Sequence, residues 1–62
     1  MSCHGKEYLQ HLFIARGSLG EVETYLPLAK DLSYISTSDY ETVEKLRAET
    51  ARLLKGLINS LS

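Results

Sequence analysis

Apolar residues recur along this chain in steps of three and four, the period of a helix that faces a neighbour on one side. Tyr8, Leu12, Ala15, Leu19, Val22, Leu26 and Ala29 keep these steps without a break, and Leu9, Phe13, Tyr25, Leu28 and Leu32 widen the stripe. The pattern predicts one long helix over about residues 5–33. Val43, Leu46, Thr50, Leu53 and Leu57 repeat the steps, with Tyr40, Leu54, Ile58 and Leu61 beside them, and predict a second helix over about 37–60. The remaining faces carry Lys6, Glu7, Gln10, Lys30, Asp31, Glu41, Glu44, Lys45, Glu49 and Lys55. They read as solvated, and Glu41 with Lys45 is an i,i+4 pair in its favourable order.

The stretch between the helices carries a start signal. With Ser36 as N-cap, Asp39 falls at N3 to complete a capping box, and Ile35 and Tyr40 sit where a hydrophobic staple would clasp them. The turn is then residues 34–36, short enough to fold the helices back antiparallel as a single hairpin domain. Facing positions have numbers that sum to 69 or 70. Gly17 and Gly20 thus fall level with Leu53 and Thr50. Each glycine costs about 1 kcal/mol against alanine in a helix interior and Pro27 about 3 kcal/mol, so packing has to offset them. The expectation is that Gly17 and Gly20, with Ala15 and Ser18, make a shallow patch for close helix packing, and that Pro27 bends the first helix without ending it.

Length changes the picture more than charge does. A chain of 62 residues is marginal as a lone core unless it is stapled or oligomeric, and one cysteine, Cys3, cannot form an intramolecular disulfide. No signal-peptide pattern or membrane-length apolar run is visible, so a cytoplasmic location is expected. A formal net charge of −1 offers no bulk attraction to phosphate or anionic lipid.

The candidate chemistry is sparse. Cys3, His4 and His11 lack any recognised zinc spacing and read as part of a flexible tail. Glu21 and Glu23 are two apart and point to different helix faces, which suits an ion pair better than acid–base work; Glu21 is expected to pair with Arg52 across the hairpin. Tyr8, Tyr25, Tyr34 and Tyr40, at helical spacing, read as core-edge packing rather than base-stacking platforms. Lys45, Arg52 and Lys55, with Asn59 beyond, form a stripe able to contact phosphate but interrupted by Glu41, Glu44 and Glu49. No nucleophile triad or cofactor motif is present, so neither an enzyme, a cofactor, a metal nor a small-molecule substrate is expected.

One resemblance adds to this. Arg16, Gly17, Ser18, Glu21, Glu23, Thr24, Leu26, Leu28, Ala29, then Tyr34, Ile35, Ser36, and finally Leu57, Ile58, Ser60 and Leu61 follow a recurring run. In that run the chain resembles the C-terminal half of the four-helix bundle family known as 23S rRNA intervening-sequence proteins, over about residues 6–62. The resemblance implies an all-α fold, a tendency to assemble and no enzymatic activity. Longer relatives, about twice this length, include ring-forming bundles and nucleic-acid-binding accessory proteins of diversity-generating retroelements. The chain departs from the pattern in lacking a counterpart of the first two helices, in Pro27, and in Ser33 where a helix-ending glycine is common.

The fold class expected is therefore all-α, an antiparallel two-helix hairpin assembling as a homodimeric four-helix bundle. A lone hairpin leaves part of each apolar stripe uncovered, and Leu9, Phe13, Leu28, Leu54, Ile58 and Leu61 are the residues expected at the oligomer interface. The function expected is that of a small self-associating structural module, with a second copy as partner and no membrane contact. The alternative is an accessory protein that binds RNA or DNA.

Overall fold

The computed structural model describes residues 2–62, with side chains from Lys6 onward. Two helices, α1 (Ser2–Asp31) and α2 (Thr37–Leu61), pack antiparallel as a hairpin with extents of 47 × 15 × 11 Å. No third element lies above or below this layer among the described residues. The Cys3 and His4 side chains lie outside the described ones, and so does the metal reading that rested on them. α1 begins at Ser2 and ends at Asp31, a little earlier at both ends than the apolar period suggests, and it runs unbroken through Pro27.

The turn is built by local hydrogen bonds. Ser33 adopts φ 62°, the left-handed region, and the chain closes α1 with two bonds: the Ser33 N–H donates to the Lys30 carbonyl at 3.0 Å and the Tyr34 N–H to the Ala29 carbonyl at 2.9 Å. This is a Schellman motif, satisfying two of the carbonyls that every helix end leaves free. Serine is strained where glycine would not be, so Ser33→Gly is expected to stabilise the hairpin by about 1 kcal/mol. An unchanged or lower melting temperature for that variant would contradict the strain. α2 opens as its sequence prescribes, with Ser36 extended at φ −74° and ψ 160° and its hydroxyl accepting the Asp39 N–H at 3.0 Å. That bond is the first half of the capping box; Asp39 adds an acidic side chain in the first turn, where the helix dipole favours it.

Register follows from two cross-hairpin contacts. Lys30 Nζ lies 5.0 Å from the centre of the Tyr40 ring, and Arg47 Nη2 lies 3.4 Å from Glu23 Oε2. Both pairs have numbers that sum to 70, as a short turn demands. Stepping by three and four from these anchors traces the inner seam: Leu9, Leu12, Arg16, Leu19, Glu23, Leu26 and Lys30 on α1, against Leu61, Ile58, Leu54, Ala51, Arg47, Glu44 and Tyr40 on α2. Burial agrees in α2, where Leu54 and Ile58 are 7% and 6% exposed and form the buried core. Leu9, Leu12, Leu19 and Leu26 are half-buried along the α1 side of the seam.

This seam corrects the expected interface. Leu54 and Ile58 are turned into the hairpin and are not free to meet a second chain, while Leu9 is half-buried at the open end of the seam. Phe13, Leu28 and Leu61 do remain exposed. The physical reason is that α2 carries two adjacent heptad rows. Its inner row is the more polar one, because the Arg47–Glu44–Glu23 cluster satisfies its charges there, while the row Val43, Leu46, Thr50, Leu53, Leu57, apolar but for Thr50, is left outside.

Candidate functional site: an apolar side of the hairpin

A right-handed helix turns about 100° per residue, and antiparallel helices run opposite ways. Residues one position before the seam therefore lie on the same side of the layer in both helices, and residues one position after it on the other. The first side takes Asp39, Val43, Leu46, Thr50, Leu53, Leu57 and Ser60 from α2. From α1 it takes Tyr8, His11, Ala15, Ser18, Val22, Tyr25 and Ala29. Asp39, in the first turn of α2, is the one lysine, arginine, aspartate or glutamate among them, and from Val43 to Leu57 the side carries no formal charge. Most of the large apolar members are well exposed, with Leu53 at 72%, Tyr25 at 61% and Leu46 at 57%. The opposite side collects Lys6, Asp31, Glu41, Lys45, Arg52 and Lys55 with Gln10, Thr24 and Asn59. One layer of two helices thus has an apolar side and a charged side.

The charges at the seam are held by one cluster. Arg47 grips Glu44 with two nitrogens, Nε at 3.1 and 3.0 Å from the two carboxylate oxygens and Nη2 at 2.6 Å from Oε1, while its side chain is only 13% exposed. The same Nη2 reaches Glu23 on α1. The hydrogen bond from Arg47 holds the Glu44 carboxyl below its ordinary pKa, and Glu44 in return raises that of Arg47. Arginine suits this place because its planar fork can serve two carboxylates at once. The cross-hairpin ion pair is therefore Glu23–Arg47. Glu21 and Arg52 form no ion pair within 4 Å and are both exposed. Register explains the correction: Arg52 is level with Ser18, Glu21 lies about two seam positions away on the outer edge of α1, and only Glu23 is level with Arg47.

Gly17 and Gly20 likewise sit at the expected level but on the other side. They lie on the charged side, whereas Leu53 and Thr50 lie on the apolar one, and a methyl group added at either glycine would meet nothing within 4 Å. No close helix packing occurs at them within the hairpin. Alanine at either position is expected to stabilise the protein by about 1 kcal/mol through helix propensity alone. A lower melting temperature for Gly17→Ala or Gly20→Ala would mean that something packs against that side.

Around these features the chemistry is thin. Among the described residues no group of three His, Cys, Asp or Glu side chains could hold a metal ion. A shallow surface hollow of about 370 Å³ is lined by Lys6, Glu7, Leu9, Gln10 and Phe13. The Arg16 guanidinium stacks 4.9 Å from the centre of the Phe13 ring, a cation–π contact that tilts Arg16 toward the charged side. No helix among the described residues is long and apolar enough to cross a membrane.

The family model for 23S rRNA-intervening sequence protein matches residues 2–56, spanning both helices and the turn. The chain belongs to this family. No curated protein and no solved structure matches it at a significant level. The Ser36 cap, the seam as far as Leu54 and the apolar side as far as Leu53 fall inside the matched span, while Leu57, Ile58 and Leu61 lie beyond it.

Proposed function

We propose that this family member is a non-catalytic helical interaction module, acting in the cytoplasm, that associates with a second copy of itself through its apolar side. The supporting observation is the segregation of charge. A side that carries Val22, Tyr25, Val43, Leu46, Leu53 and Leu57, with Asp39 at the turn end as its only formal charge, is costly to leave in water, since soluble monomers rarely expose more than a few hundred Å² of continuous apolar surface. The size also suits. A side 47 Å by 15 Å is about 700 Å² in projection, close to the roughly 800 Å² per partner of a standard interface. A second hairpin laid on it completes a four-helix bundle and enlarges a core that now consists of two buried residues. Folding and association are then coupled, so the melting temperature should rise by several degrees over a hundredfold increase in concentration. A concentration-independent melt would count against self-association.

A second reading is favoured by one observation on the charged side. Of the carboxylates that interrupt the basic stripe of α2 in sequence, Glu44 is withdrawn into the seam by Arg47, Glu41 lies at the turn end and Glu49 faces the outer edge. Lys45, Arg52 and Lys55 are left exposed on the charged side, joined there by Arg16 and Lys6 of α1. Such a patch can follow a phosphate backbone. Binding to single-stranded RNA should then weaken with salt at a slope of about −0.7 per phosphate contacted, and should be reduced by Arg52→Ala together with Lys55→Ala. Absence of retention on RNA at low salt would dispose of this second role without touching the first.

A further inference from the structure

Resting on the self-association reading, we infer that two hairpins pack about a two-fold axis parallel to their helices, with both turns at the same end and α2 of each copy lying across α1 of the other. A face-to-face pair of two-helix layers has two closed solutions. In one the axis runs along the helices; in the other it runs across them, the turns lie at opposite ends and α2 packs on the α2 of the partner. The two differ in freedom. A two-fold axis along the helices permits no sliding, so each residue of α2 must meet α1 of the other copy at the level it already has in its own hairpin, with numbers near 70. A crossed axis can be set at any level.

The imposed register matches in size at Leu53 and in polarity at Thr50. Leu53 falls between the small Ala15 and Ser18 of the other copy and Leu57 between His11 and Ala15, while Leu46 falls between Val22 and Tyr25, apolar against apolar. Thr50, the one polar member of the α2 row between Val43 and Leu57, falls between Ser18 and Val22, where a hydroxyl is within reach as a partner. Val43 falls between Tyr25 and Ala29. This register is set by the Glu23–Arg47 and Lys30–Tyr40 contacts within each hairpin. Interdigitation of large and small side chains is what core packing demands, and a buried hydroxyl requires a partner. All neighbouring helices in this arrangement are antiparallel, as in an up-and-down bundle.

The test is a distance. A nitroxide attached at Tyr34→Cys in the Cys3→Ser chain sits in the turn, at a position 79% exposed, and dipolar spectroscopy reads its separation from the label on the second copy. Layers about 10 Å apart place the two turns close together, so a separation below roughly 25 Å is expected. Ser38→Cys, exposed at the start of α2, serves as an independent label site with the same expectation. A separation near 45 Å, about the 47 Å length of the hairpin, would overturn this arrangement and leave self-association standing. A mixture of both distances, or a mass other than twice the chain, would also overturn it. No dipolar coupling in a species of single-chain mass would overturn the inference and the self-association reading together.

Discussion

Leu53→Asp is expected to dissociate the protein and lower its melting temperature steeply, although Leu53 is 72% exposed in the hairpin. In a monomer, a change at so open a surface position shifts stability by only about 0.5 kcal/mol either way. In the paired form each copy buries one leucine, a contribution of about 1.5–3 kcal/mol per chain and hence about 3–6 kcal/mol per dimer, before any cost of placing two carboxylates in an apolar interface. At 1.4 kcal/mol per tenfold, even the lower figure weakens association about a hundredfold. Asn59→Asp, on the charged side, adds the same charge and should leave association unchanged. If the two variants behave alike, the apolar side is not an interface.

Leu54→Ala should abolish the folded state whatever the assembly. Leu54 is one of two buried residues, and removal of a buried leucine side chain costs about 2–5 kcal/mol through lost transfer energy and residual cavity. Small domains have little in reserve, since a single core below about 70 residues rarely supplies more than 3–5 kcal/mol. Loss of helical circular dichroism at room temperature is the expected result. Ile58→Ala should act in the same direction. A cooperative melt within a few degrees of the parent would show that the core lies elsewhere.

Much of the architecture is legible in the sequence because local signals and period agree. The Ser36 cap, the left-handed strain at Ser33 and the register near 70 all follow from residues 33–40 and the helical repeat. What the period does not decide is which of two adjacent rows turns inward. On hydrophobicity alone Val43, Leu46, Leu53 and Leu57 outrank a row containing Glu44, Arg47 and Ala51, yet the second row is the inner one because its charges are satisfied by one another and by Glu23. That single choice rotates α2 by one residue. It moves Leu54 and Ile58 from interface to core, separates Gly17 and Gly20 from Leu53 and Thr50, and hands the cross-hairpin ion pair from Arg52 to Arg47. The signal for the correct pair was present in the register itself, since Glu23 and Arg47 are level and Glu21 and Arg52 are not.

Sedimentation equilibrium of the unmodified chain across the micromolar range tests self-association most directly. The expected result is a species of twice the 7.0 kDa chain mass that dissociates on dilution, with helical content falling as it does so. A fully helical species of 7.0 kDa at every concentration would contradict it.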